Sequence, residues 1–175
     1  MMLPTSWLNY LVHFHGSRDY FECHEILEEY WKEHDMKDDV WVGFIQLAVS
    51  LYHERRGNQK GAMKMMESSL CILTNHRKES EQLGVMYSRL ISMMKHRLEQ
   101  MKMQKPYEDL SIPLYPEALA TGKTEAEKMG FIWGAASPFN DDALIHRHKL
   151  RDRSDVVAER ERQLLARKHK KSTGD

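Results

Sequence analysis

The chain has 175 residues, 41% hydrophobic and 30% charged, a composition typical of one globular domain with a sizeable core. Its 26 basic and 26 acidic residues cancel, so the overall charge gives no argument for nucleic acid or a membrane surface. Two cysteines are too few for a disulfide framework, and no apolar run approaches the roughly 20 residues of a membrane span. The N-terminus also lacks a secretion-signal pattern, so we expect a cytoplasmic protein that does not enter a membrane.

Helical periodicity predicts five helices in the first part of the chain. Asp19 and Glu22 resemble a capping box at the start of the second helix, and Gly57 with Asn58 stops the third. The fifth is expected to end before Pro106. These predicted helices span roughly residues 4–15, 19–34, 40–56, 60–74 and 80–104.

The predicted helices favour an all-α fold. The third helix is apolar on nearly every side, which indicates a central position in its bundle. Short links favour antiparallel neighbours, so residues 4–15 with 19–34, and 40–56 with 60–75, are expected to form two stacked helical hairpins. Strand signals are nearly absent. We therefore predict an antiparallel bundle of about five helices followed by a charged C-terminal helix.

Composition divides the chain into three predicted parts. Residues 1–105 form the helical bundle, and residues 106–140 read as a proline-containing extended segment, apolar enough to pack on it. Residues 141–175 read as a basic, charged helical tail, because residues 143–175 hold ten basic and five acidic residues, a net charge of +5. The tail could touch nucleic acid weakly, but its acids suit intrahelical pairs, so a solvated helix is the default expectation.

Two polar side chains lie where the second helix should bury its apolar face. A helical wheel drawn at about 100° per residue places His24 and Glu28 inside the stripe of Tyr20, Leu27 and Trp31. A carboxylate on a core face must be paired, hydrogen-bonded, protonated or bound to metal. His24 and Glu28 are four residues apart, so their side chains can meet.

The third helix repeats this pattern. Gln46 and His53 share one of its faces and could reach the His24–Glu28 pair if the two faces meet. The sequence around Gly57 and Asn58 could form either an anion-binding turn at the start of the fourth helix or an ordinary helix cap.

Two segments, DYFECHEILEEYW and FIQLAVSLYHERRGNQKGAMKMM, carry these polar residues. They resemble the paired motifs of a bacterial family, the domain of unknown function 309, with Cys23 where alanine is usual. The resemblance covers roughly residues 5–105 and implies a small all-α bundle. A description as predicted metal-dependent hydrolases, sometimes attached to that family, implies a metal site.

Three interpretations of the polar cluster follow. His24, Glu28 and His53 could bind a divalent transition metal such as Zn or Fe, with Glu25 as general base of a metal-dependent hydrolase. They could instead form a satisfied network that fixes helix packing. They could also line, with Trp31 and Tyr52, a pocket for a small molecule or a peptide.

No complete catalytic motif is present, because the second histidine of the His-Glu-x-x-His zinc motif is missing. The leading hypothesis is therefore a helical module that binds a partner protein or a small ligand in the groove between its hairpins. The predicted cluster for that site comprises His24, Glu28, Trp31, Gln46, His53 and Asn58. The metal-dependent hydrolase is the alternative.

Overall fold

The computed structural model describes residues 2–147 and 154–172, and within them the fold is all-α, which confirms the predicted fold class. A π-helical turn, His13–Ser17, directly follows the first helix. None of the described helices is both long and apolar enough to pass through a membrane. The α-helices are α1 (Thr5–Val12), α2 (Tyr20–Glu33), α3 (Asp39–Arg55), α4 (Gln59–Leu73), α5 (Arg77–Gln82), α6 (Tyr87–Lys102), α7 (Pro116–Met129), α8 (Asp142–Ile145) and α9 (Ser154–Ser172).

Helix α3 lies at the centre of the bundle, as its nearly continuous apolar sequence predicts. It packs against both α2 and α4, while α1 packs on α2 and on α7, and α6 packs on α4. Ring contacts join Phe21 to Tyr52 and Tyr30 to Trp41. Because the earlier residue of α2 meets the later residue of α3, these two helices run antiparallel.

Two hydrogen bonds fix α4 against α3. The Ser69 hydroxyl donates to the Gly43 carbonyl at 2.7 Å, and the Ser50 hydroxyl donates to the Ala62 carbonyl at 2.7 Å. A Cβ atom added to Gly43 would lie 2.6 Å from Leu73 Cδ2. The close approach of these antiparallel helices therefore depends on a glycine at position 43.

An aromatic cluster joins α1 to α3. The rings of Trp7 and Phe44 are 4.7 Å apart, and Trp7 stacks on Tyr10 at 5.1 Å. The polar atoms of both α1 rings are satisfied, because Trp7 Nε1 donates to the Leu83 carbonyl and the Tyr10 hydroxyl donates to the Phe44 carbonyl. Large buried side chains thus pack without leaving these donors unpaired.

The predicted single helix over residues 80–104 is wrong, because the chain breaks there into α5 and α6. Gly84 adopts a left-handed conformation with φ of 82° between them. The backbone at the break bonds to the segment before α7: Tyr115 N–H donates to the Gly84 carbonyl, and Met86 N–H donates to the Pro113 carbonyl, both at 2.8 Å. These long-range bonds replace the helical bonds that the local pattern favours.

The predicted extended segment over residues 106–140 is also wrong in its middle, where α7 forms. Pro116 occupies the first turn of α7, a position where the missing N–H costs nothing, and Gly130 ends the helix with φ of 81°. A proline is compatible with both an extended segment and the start of a helix, and at position 116 it marks the start of a helix.

The chain divides into two compact units, Met1–Ile145 and His146–Asp175. The predicted helical tail over residues 141–175 corresponds to α8 in the first unit and α9 in the second. Its parts over residues 148–153 and 173–175 lie outside the described residues. The predicted division of the chain at residues 105 and 140 stays a prediction.

His15, in the π-helical turn, ties two later segments to α1. Its Nδ1 bonds to the Leu11 carbonyl at 2.8 Å, and its Nε2 accepts the Ile112 N–H at 2.9 Å. The ring is buried and stacks on Trp133 at 4.2 Å. The Nε2 atom must be unprotonated to accept this bond, and burial lowers the pKa of His15 from 6.5 to about 4.

We expect His15 to make the fold sensitive to acid. Since its pKa is lower in the folded chain, its stabilisation is complete above the unfolded value of 6.5 and is lost as the pH falls towards 4. The free energy of unfolding should fall by about 2 kcal/mol between pH 7 and pH 5 through this residue. Urea unfolding of wild type and His15→Gln at both pH values checks this, because an equal fall in both proteins would contradict it.

Candidate functional site

The predicted wheel for α2 is rotated relative to the structure. Cys23 and Leu27 are fully buried, so the centre of the buried face lies on their side of the helix. The side chains of His24 and Glu28 lie at the edge of this face and are 26% and 32% exposed. The prediction that this pair belongs to the core is therefore wrong.

His24 and Glu28 do meet, as their spacing predicts. His24 Nε2 is 2.5 Å from Glu28 Oε2, and Lys32 Nζ is 2.6 Å from Glu28 Oε1. Glu25 stands 3.9 Å from His24 Nδ1. Partial burial alone would raise the pKa of Glu28, but the hydrogen bond from Lys32 and the charge of His24 outweigh it and lower that pKa. These paired side chains form a row along the edge of the buried face of α2, and we call this row the ladder on α2.

A half-buried stripe of α3 lies between its two neighbouring helices. On a wheel, the side of α3 that meets α2 and the side that meets α4 are separated by roughly 180°, and the stripe lies between them. Helices α2 and α4 make little contact with each other. They therefore leave uncovered a half-buried strip of α3 formed by Val42, Gln46, Val49 and His53, and we call this strip, with the edges of α2 and α4 beside it, the α3 groove.

His53 lies at the end of the α3 groove beside the start of α4. Its Nδ1 is 3.1 Å from Arg56 Nη2 and 3.4 Å from Asn58 Nδ2, two donors that require this nitrogen to be the acceptor. Asn58 caps α4, because its side-chain oxygen accepts the Gly61 N–H at 3.1 Å. Of the two interpretations of this turn, the structure shows the helix cap.

The predicted metal ligands are not gathered into a metal site. Among the described residues, no group of three or more His, Cys, Asp or Glu side chains is arranged to hold a metal ion. His24 Nε2 is engaged with Glu28, and His53 Nδ1 faces two donors, so the set of His24, Glu28 and His53 does not fit a preformed Zn or Fe site. A general-base role for Glu25 stays a prediction.

Two of the predicted site residues carry a buried polar atom with no partner. The indole Nε1 of Trp31 and the amide Oε1 of Gln46 are inaccessible to solvent and make no hydrogen bond within residues 2–147 and 154–172. Trp31 lies on the same edge of α2 as His24, and Gln46 is in the floor of the α3 groove. Buried polar atoms are nearly always bonded in folded proteins, so these two atoms mark the groove as unusual.

Sequence reasoning missed a buried network of charged side chains that joins α3 to α6, outside the α3 groove. Arg97 Nη1 is 3.2 Å from Glu54 Oε2, and the two side chains are 8% and 1% exposed. Arg97 also donates to the Glu108 carbonyl. Burial raises the pKa of Glu54, and the Arg97 charge works in the opposite direction. Glu54 falls on the apolar face of α3 beside Ser50, a sequence signal that could have revealed it.

The same network continues through a chain of hydroxyl groups. The Tyr20 and Tyr107 hydroxyls are 2.8 Å apart, and Tyr107 donates to Asp109 at 2.7 Å. Asp109 accepts both the N–H and the hydroxyl of Ser137. Burial raises the pKa of Asp109, but the Ser137 and Tyr107 bonds outweigh it and lower that pKa. Asp109 is therefore an ionised anchor for two non-helical segments.

Glu28 and Glu54 should differ sharply when each is replaced by alanine. Glu54→Ala leaves Arg97 as a buried, unpaired charge and should cost about 3–5 kcal/mol of unfolding free energy. Glu28→Ala removes a partly exposed pair and should cost less than about 1 kcal/mol. Urea unfolding of both variants checks this. Similar losses would mean that the ladder on α2 supports the core.

Comparison with known proteins supports the resemblance carried by the two motifs. Residues 7–65 match the family described as Domain of unknown function (DUF309). The chain is 45% identical over 170 residues to Uncharacterized protein YpuF of Bacillus subtilis (strain 168), covering 95% of this chain and 98% of that protein. No solved structure matches the chain significantly. The chain therefore belongs to the domain of unknown function 309 family.

Proposed function

We propose that this chain is a binding module that holds a peptide segment of a partner protein in the α3 groove. The observation that carries the proposal is the pair of buried, unpartnered polar atoms, Trp31 Nε1 and Gln46 Oε1. An unsatisfied buried polar atom costs roughly 1–3 kcal/mol. A ligand that supplies both partners would recover that cost, whereas a purely structural role would not explain it.

The two atoms suit a peptide backbone. The contact of Tyr30 with Trp41 places Trp31 about level with the first turn of α3, and Gln46 follows about 7 Å further along that axis. Two residues of extended peptide span a similar distance. An indole N–H requires an acceptor and an amide oxygen requires a donor, and a peptide offers a carbonyl and an N–H within this length.

The rim of the α3 groove supports a largely uncharged contact. Phe21 and Trp31 are half-buried aromatic side chains packed against the core, the kind of residue that anchors a partner. The rim charges of His24, Glu28 and Lys32 are already engaged with one another. Recognition would therefore rest on backbone hydrogen bonds and apolar side chains of the bound segment.

A photo-crosslinking residue in place of Val49, in the groove floor, should trap the partner in cells. Mass spectrometry should map the crosslink to one peptide segment, and the same residue in place of the exposed Lys95 on α6 should not trap that segment. A synthetic peptide of the segment should bind the full chain, with affinity about tenfold weaker for Trp31→Phe or Gln46→Leu. Binding that neither variant weakens, or a small molecule crosslinked instead, would overturn the proposal.

The same two variants also test whether the polar atoms of Trp31 and Gln46 stabilise the fold. Each replaces an unpartnered buried polar atom with apolar surface, so neither should lower the free energy of unfolding. Urea unfolding of Trp31→Phe and Gln46→Leu separates recognition from structure. A loss of more than about 1 kcal/mol of unfolding free energy in both variants would show that these atoms support the fold. The two unpartnered atoms would then no longer support the proposed binding site.

The alternative of a metal-dependent hydrolase differs in its need for metal. A peptide-binding module should contain less than about 0.1 equivalent of zinc or iron after purification without an affinity tag, and should take up none on addition. Elemental analysis of the full chain measures this. Stoichiometric metal that is lost in both His24→Ala and His53→Ala would favour the hydrolase and contradict the binding module.

A further inference from the structure

Arg55 is buried near the end of α3, on the side opposite the α3 groove. It is only 7% exposed. Its Nη1 donates to the Arg18 carbonyl at 2.7 Å and to the Ser137 hydroxyl at 3.1 Å. The guanidinium carbon lies 4.5 Å from the centre of the Tyr20 ring. These contacts fix the position of the guanidinium group through one of its nitrogens.

The opposite edge of the same guanidinium is unpaired. Arg55 Nε and Nη2 are both inaccessible to solvent, and neither has a hydrogen-bond partner among the residues that the structure describes. The two N–H groups of this edge point in parallel, which is the arrangement that binds the two oxygens of a carboxylate. A buried cation normally has its donors satisfied, because desolvation without partners is costly. The edge therefore has the form of a carboxylate-binding fork.

The carboxylates bonded in the network beside Arg55 do not reach its Nε and Nη2 edge. Arg97 pairs with Glu54, whereas Arg18 donates to three backbone carbonyls. Asp109 accepts from Ser137, the residue whose hydroxyl also meets Arg55. Neither Glu54 nor Asp109 therefore satisfies the two donors on this edge.

Two half-buried carboxylates limit the negative charge of any ligand that could bind to this edge of Arg55. Burial raises the pKa of Cys23, and the charges of Asp19 and Glu22 raise it further, while Arg55 lowers it. All three charges therefore act on the same part of the core. A multiply charged anion such as phosphate would be repelled by Asp19 and Glu22, which leaves a single negative charge as the better match.

We propose that Arg55 binds a small, free monocarboxylate through its Nε and Nη2 edge. Arg55 and the neighbouring Ser137 are both buried, which favours a small, free ligand over a side chain of a partner protein. The two oxygens of a flat carboxylate group match the two donors of the fork. This site is separate from the α3 groove and does not depend on the function proposed for it.

Formate, the smallest carboxylate, is the probe for this site. Sodium formate is titrated into the full chain against sodium chloride at equal ionic strength, with the arginine Nε–H signals followed by NMR. The Arg55 signal should shift and saturate, while that of the exposed Arg89 should not. Arg55→Lys should abolish the saturable response, and Arg89→Lys should leave it intact.

Two outcomes would overturn the proposal. A shift that is equal at Arg55 and Arg89 and never saturates would overturn it as non-specific. Saturable binding that appears in Glu22→Gln but not in wild type would also overturn it, because Glu22 would then occupy the fork itself. The wild-type titration is decisive even if Arg55→Lys fails to fold, since the Arg55 signal can be assigned through its bonds.

Discussion

The enclosure of α3 is the constraint on which the rest of this structure depends. Helix α2 covers the side of α3 that holds Trp41 and Tyr52, and α4 covers the side that holds Gly43 and Ser50. Helix α1 covers the side that holds Phe44. Burying a helix on three sides requires apolar residues on nearly its whole surface, which the α3 sequence supplies. The fourth side is left half-buried because α2 and α4 stand apart, and that spacing creates the α3 groove.

A second constraint acts on the non-helical segments that cover the bundle. Their backbone groups lack helical partners, and buried backbone groups must still be satisfied. Arg18 meets this need by donating to the Leu110 and Ala135 carbonyls, and His15 accepts the Ile112 N–H. Arg97 likewise donates to the Glu108 carbonyl. Buried charged and aromatic-ring nitrogens thus take the place of a strand or helix partner.

The fold class and the four helices α1 to α4 followed from the sequence because they rest on local signals. Periodicity, the Asp19 cap and the Asn58 cap act within a few residues, and each is observed. The break at Gly84 depends on hydrogen bonds to residues far along the chain. The start of α7 depends on Pro116, and a proline can either begin or end a helix. Local patterns do not distinguish these cases.

The candidate site was predicted in part. The wheel for α2 gave too much weight to Trp31, which lies at the edge of the buried face rather than at its centre. This moved His24 and Glu28 into the core, although their contact with each other was correct. The buried Arg55 was missed because its partners, Arg18 and Ser137, are 37 and 82 residues away along the chain.

The α3 groove and the fork of Arg55 are carried by one rigid helix but face opposite ways. Gln46 and Arg55 are nine residues apart, which corresponds to about 14 Å along the axis and a rotation of about 180°. A ligand at one position therefore cannot touch the other. Because α3 is packed on three sides, it has no room to rotate, and occupancy of the fork would affect the groove only by stiffening the bundle as a whole.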